Sequence, residues 1–253
     1  MLLKASGKEL KLFDFNAEKH NNWLIALSGG TDSALMLWFT CKLFPNKRIV
    51  CHTGTDTSKD PFVGDYAAEI FEWMQKQYPD VNLIHEQYVF DSSELRHIEA
   101  ARKEIEASDT PEIFPTVYGH AKGVATREPK RAIRKKYDIT LSMHGISKNP
   151  PIEVQEKYGF THVAEGRRNY EYDEIEYKKN GNVHYMPWRN VDKSFIAEIY
   201  KQYDLLKTLF PMTASCIGDN ESSKWYTEPC KECFWCYEKK WAFGCYDRAT
   251  PTI

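Results

Sequence analysis

Apolar and polar positions alternate along the chain in blocks. Trp23-Leu24-Ile25-Ala26-Leu27 is a short unbroken apolar run that ends in Ser28-Gly29-Gly30-Thr31-Asp32-Ser33 and leads into the apolar stretch 34–44. Such a run before a glycine turn predicts a buried strand, and the longer stretch after it a helix. Residues 48–52 predict a second strand and 53–60 a polar loop, while Tyr66, Ala67, Ile70, Phe71 and Met74 recur at helical spacing. Residues 81–90 predict a third strand, 93–107 a charged surface helix, 137–146 a fourth strand and 183–188 a last one. From Asp192 onward, Phe195, Ile199, Tyr203 and Leu206 mark one face of a closing helix. Residues 149–181 are polar and aromatic without a firm period and predict loops and short helices. Strands alternating with helices predict an α/β fold, a doubly wound parallel sheet built from right-handed crossover units.

Beyond Pro211 the composition shifts to cysteine, tryptophan and glycine, which predicts a main domain over 1–210 and a small C-terminal module over 211–253. A chain of 253 residues is long enough to bury a core without disulfides. No apolar run approaches the roughly 20 residues of a membrane-spanning helix. Lys4, Lys8, Glu9 and Lys11 interrupt the leucines at the start, so no secretory leader is read there and a cytoplasmic location is expected. With 34 Lys and Arg against 36 Asp and Glu the net charge is −2, so a nucleic-acid surface would have to be a local patch. Nucleic acid is therefore disfavoured as a partner; ATP and a small-molecule substrate are expected, and a homodimer stays open.

Ser28-Gly29-Gly30-Thr31-Asp32-Ser33 puts two glycines where backbone can approach an oxyanion, then opens a helix whose free N–H groups and dipole favour negative charge. It is neither a Walker A loop nor a dinucleotide fingerprint, since no Gly-Lys-Ser/Thr and no G-x-G-x-x-G follows. A plain strand-to-helix turn capped by Asp32 or Ser33 is the alternative; the position between buried strand and apolar helix favours a nucleotide site. The S-G-G-x-D-S string resembles the signature of the PP-loop (N-type) ATP pyrophosphatases. That resemblance implies the adenine nucleotide alpha hydrolase-like, Rossmann-like fold and cleavage of ATP between its α and β phosphates. By it Ser28, Gly29, Gly30, Thr31, Asp32 and Ser33 hold pyrophosphate, with Asp32 facing a magnesium ion. The segment His52-Thr53-Gly54-Thr55-Asp56 is expected beside this loop, with Thr53, Gly54 and Asp56 bordering adenine or ribose, or else Asp56 capping the next turn.

Cys230, Cys233 and Cys236 form C-x2-C-x2-C, and Cys216 fourteen positions upstream completes four thiolates, the donor set of a closed structural zinc site. Free thiols, a disulfide and an iron–sulfur cluster are the alternatives, and Cys245 is left over. The last seventy or so residues resemble the 7-cyano-7-deazaguanine synthases of the queuosine pathway. Pro187, Lys193, Thr213-Ala214-Ser215-Cys216, the clustered cysteines, Lys239 and Ala242-Phe243 follow that family's order. Lys231 and Lys239 stand where the family has Gly and Arg, and its Pro-Gly-Arg-Asn segment is absent. His52 to Asp56 with Pro61 and Tyr66 is instead similar to the phosphoadenylyl-sulfate reductases.

These resemblances imply an ATP-dependent ligase that adenylates a carboxylate and then amidates it, in the closer case onward to a nitrile, with Asp32, Ser33 and Lys193 as its catalytic residues. A reductase or sulfur-transfer enzyme and a silent nucleotide-binding protein are the alternatives. No Glu-Cys-Gly tail is present for the reductase. Lys122, Arg127, Lys130, Arg131, Arg134, Lys135 and Lys136 read as a solvated helix face or as a grip on an anion. His144 is read as pocket lining.

Overall fold

The computed structural model describes residues 1–108, 117–158, 168, 171, 173–216 and 228–248. It opens with an antiparallel hairpin of β1 (Leu2–Ala5) and β2 (Lys8–Lys11), joined by Ser6 and Gly7 at φ 48° and 70°. Two positive φ values in a two-residue loop match the right-handed twist of the paired strands. This hairpin was not predicted, because four-residue strands carry too few positions to show a period.

Six further strands make one sheet: β3 (Asn22–Ala26), β4 (Arg48–Asp56), β5 (Asn82–Phe90), β6 (Leu141–His144), β7 (Ile175–Tyr177) and β8 (Val183–Tyr185). Their order is β5-β4-β3-β6-β8-β7, all pairs parallel except β7 with β8. The fold is thus the expected α/β class with a mostly parallel sheet, and the antiparallel edge strand is the departure. The predicted loop 53–60 is also corrected. Thr53 to Asp56 continue β4, because each pairs in register with Gln87 to Phe90 of β5. The fourth strand is shorter than its apolar run, since Asp138 turns the chain at φ 50° just before it.

Trp23 and Ile25 face one side of the sheet and Leu24 the other, as strand geometry requires. The first side carries the main core with α1 (Thr31–Leu43), α2 (Val63–Gln77) and α7 (Lys193–Gln202). α1 is apolar on every face and buried from Thr31 to Cys41, as befits a helix packed against β3, α2 and α7. The second side joins Leu24 and Val50 to Ile133 of α5 (Arg127–Lys136) and to Ile139. α3 (Leu95–Glu106), α4 (Val117–Ala125) and α6 (Ile152–Lys157) complete the main helices before α8 (Phe234–Phe243), whose Phe243 packs into the main core. No helix among the described residues is long and apolar enough to cross a membrane.

Candidate functional site

The chain runs from β3 to β4 and β5 in one direction, then returns to place β6 on the other side of β3. The sheet therefore reverses its winding at β3, and a crevice opens at the carboxyl ends of β3 and β6, where open α/β sheets bind ligands. The glycine loop follows β3 and lies in that crevice. Gly29 has φ +77°, and a Cβ there would lie 2.6 Å from Cβ of Tyr66, so both conformation and space demand glycine. Gly30 caps α1 with no side-chain hydrogen bond, which leaves the first-turn N–H groups open to an anion. Ser33 Oγ accepts from Ser28 N at 3.2 Å and donates to Gly30 O at 3.1 Å, closing the loop on itself.

Across the crevice, a Cβ on Gly145, just after β6, would come within 2.6 Å of Ser33 N and 2.7 Å of the Asp32 carbonyl carbon. This close approach sets the width of the crevice. Sequence reasoning missed it, although His144-Gly145 at a strand end was the available signal.

Asp32 is 8% exposed and its carboxylate is engaged on both oxygens. Lys193 Nζ donates to Oδ1 at 2.6 Å and Ser147 Oγ to Oδ2 at 2.9 Å. Lys193 is the first residue of α7, fixed there by Asp192, whose Oδ1 accepts from Ser194 N at 3.0 Å. Its ammonium also lies 3.4 Å from Thr31 Oγ1 and 3.8 Å from Glu238 Oε2. Glu238 pairs with Arg168, which donates through Nε to Ser147 O at 2.7 Å. Of the predicted residues the structure brings Ser28 to Ser33 and Lys193 together. Ser147, Arg168 and Glu238 join them unannounced, because nothing in the spacing of single charged or polar residues marks them.

Thr53, Gly54 and Asp56 stand differently. Thr53 Oγ1 donates inward to Leu27 O at 2.7 Å, and the Tyr88 ring lies against Gly54, 2.7 Å from where a Cβ would be. Asp56 Oδ1 accepts from Ser58 Oγ at 2.9 Å and from Ser92 N at 3.1 Å, a capping arrangement, while its Oδ2 is buried without a hydrogen-bond partner among the described residues.

His52 and His144 flank Ala26 in register at the same carboxyl edge. Burial, then the nearby Lys130, pushes His52 down to about 3, so its ring is neutral at pH 7. His144 is half-buried with its ring 6.1 Å from His184, to whose Nε2 Arg134 Nη2 donates at 3.4 Å. The basic run is thus divided: Lys130 and Arg134 turn toward the sheet edge, while Arg131 and Lys135 are exposed.

In the C-terminal segment, the sulfurs of Cys216, Cys230, Cys233 and Cys236 lie within 4.8 Å of one another. Backbone N–H groups point at them, Cys230 N to Cys216 Sγ at 3.2 Å and Cys233 N to Cys230 Sγ at 3.3 Å. A hydrogen bond with the Cys216 sulfur holds the Cys233 thiol up at about 12, a proton that a shared dication would displace. Four converging sulfurs with N–H donors behind them are compatible with a structural zinc. Trp225, near this cluster in sequence, lies outside the described residues.

Lys239, 1% exposed, donates to Thr213 O at 3.0 Å and pairs with Asp247. Asp247 Oδ2 in turn accepts from Ser215 N at 2.8 Å and Cys216 N at 2.6 Å, and Ala214 N donates to Gly29 O at 2.9 Å. One buried pair therefore braces both the cysteine site and the glycine loop. Asp247→Ala leaves a buried ammonium without its counter-charge and is expected to cost about 3–5 kcal/mol. Urea unfolding checks this, and an unchanged midpoint would refute it.

No protein-family model matches the sequence, and no curated protein is found to resemble it. Solved structures do. NMN synthetase from Francisella tularensis aligns at 14% identity over 92% of this chain and 82% of its own, with a TM-score of 0.47. U34-tRNA thiolase NcsA from Methanococcus maripaludis, with its [4Fe-4S] cluster, aligns at 13% identity over 73% of this chain and 56% of its own, at 0.40. The glutamine-dependent NAD+ synthetase from Acinetobacter baumannii, solved with ADP, aligns at 17% identity over 74% and 30%, at 0.39.

Proposed function

We propose that this protein is an ATP-dependent ligase of the ATP pyrophosphatase type, which activates a carboxylate as an acyl-adenylate and then amidates it. The observation that supports it is the pairing of a glycine-led helix N-terminus, without a side-chain cap, with Asp32 and Lys193 at the point where the sheet reverses. Pyrophosphate would rest on the first-turn N–H groups of α1. Lys193 would neutralise charge on the leaving phosphates, and Ser33 would hold the loop closed around them. Asp32 would hold a magnesium ion carried by ATP, which would supply further neutralisation of the phosphates.

In the first step a substrate carboxylate oxygen attacks the α-phosphorus as its bond to the bridging oxygen breaks, and pyrophosphate leaves. In the second, ammonia attacks the acyl carbon, AMP departs with the former carboxylate oxygen, and a proton passes to solvent. Lys130 and Arg134 at the same edge would attract an anionic substrate. A further, ATP-consuming conversion of the amide to a nitrile is the finer reading, supported by the order of Lys193, Thr213, the cysteines and Lys239.

Incubation with ATP, Mg2+, ammonium and a panel of carboxylates tests the reading. AMP and pyrophosphate in equal amounts support it; ADP and phosphate, or bound but unchanged ATP, overturn it. Lys193→Met is expected to raise the KM for ATP by about 10–100-fold, the range for losing a hydrogen bond to a charged group. Normal kinetics with lowered stability would make Lys193 a structural residue instead.

A further inference from the structure

The side chains around Asp32 form a closed ring. Lys193 Nζ bonds Asp32 Oδ1 at 2.6 Å and approaches Glu238 Oε2 at 3.8 Å. Glu238 pairs with Arg168, Arg168 Nε donates to Ser147 O at 2.7 Å, and Ser147 Oγ returns to Asp32 Oδ2 at 2.9 Å. Two acids and two bases balance inside it, and all four are at most 8% exposed. The other four members come from around the crevice, whereas Glu238 comes from α8, the helix capped by Cys233, which carries Cys236 two residues before it. Two residues turn a helix by about 200°, so the sulfur and the carboxylate point to opposite sides.

A dication can take Asp32 only if the Lys193 ammonium lets it go. Glu238 gives that ammonium a second carboxylate to rest on, at the cost of little charge separation in a buried setting. Resting on the ATP pyrophosphatase reading above, we propose that Glu238 is a positioning residue. It offers the Lys193 ammonium a second carboxylate and pairs with Arg168, so that Lys193 can release Asp32 to Mg2+, and it thereby ties the four-cysteine module to the nucleotide loop. Without its charge Lys193 keeps Asp32 but loses its second carboxylate. The crevice then carries one more net positive charge, which favours metal-free ATP and disfavours the cation.

Calorimetry of ATP binding to the purified, metal-containing protein, with and without Mg2+, tests this. Glu238→Gln is expected to fold and to keep its cysteine-bound metal. It should weaken the Mg2+ enhancement of ATP binding about tenfold while leaving metal-free ATP bound as tightly as before or several-fold more tightly. A general loosening of the site would instead weaken both. Equal losses with and without Mg2+, or no change in either, overturn the proposal. If Glu238→Gln does not fold, Glu238→Asp carries the test: the carboxylate stays but retreats by one methylene, and the same direction of shift is required. Wild-type protein that binds no ATP at all refutes the functional reading itself, a result distinguishable from unchanged behaviour of the variants.

Discussion

Asp32→Asn is expected to slow formation of AMP and pyrophosphate by about 10²–10³-fold or more, the scale seen when one pre-organised electrostatic contact to a transition state is removed. The carboxylate sits in the first turn of α1, where the phosphates would lie, and no other acid occupies that turn. Asparagine keeps the size of the side chain; its Oδ1 still accepts from Lys193, while its Nδ2 now donates to the Ser147 hydroxyl, so the ring loses a charge and reverses one hydrogen bond. Lys193 retains Glu238 at 3.8 Å, and a fall in Tm of only a few degrees is expected. Alanine is the poorer variant. It would strip the buried ammonium of its 2.6 Å partner and mix a stability loss into the kinetics. Turnover in Asp32→Asn equal to wild type would sink the assignment of this loop to ATP chemistry.

The strand–loop–helix was legible because it is local: strand, two glycines, acid and helix follow one another within a dozen residues, and each has its own sequence signal. Lys193 was legible only through resemblance, since a lysine after Asp192 otherwise reads as an exposed helix start. Its burial follows from α7 packing on α1, a contact between segments some 160 positions apart. Glu238 is the harder case. In Glu238-Lys239-Lys240 three charges in a row look solvated, yet Glu238 and Lys239 are 2% and 1% exposed. Each is buried because it has a buried partner, Arg168 or Asp247, and a partner in space leaves no trace in spacing. The same logic explains Thr53 to Asp56. Polar side chains predicted a loop, but strand pairing is made by backbone, and β5 supplies the neighbour whatever the side chains are.

Serine at Cys216, Cys230, Cys233 or Cys236 is expected to remove one zinc per chain and to lower Tm more than any other single substitution considered. Binding to a thiolate set of this kind is worth on the order of 10 kcal/mol in small modules. Here the effect should reach beyond the module. Cys233 caps α8, which carries Glu238 to the Asp32 ring, Lys239 to the Thr213–Cys216 segment, and Phe243 to the main core. If the ion is lost, the three remaining sulfurs are no longer held together at the start of that helix. The half-buried Trp235 and Trp241 should then become more exposed, read as a red shift of tryptophan emission. Cys245 packs against the main core and is not among the converging sulfurs, so Cys245→Ser should leave both metal content and emission unchanged. Elemental analysis decides the ion. One zinc per chain fits a closed structural site, whereas iron with acid-labile sulfide would replace it by a cluster and turn the functional reading toward sulfur transfer.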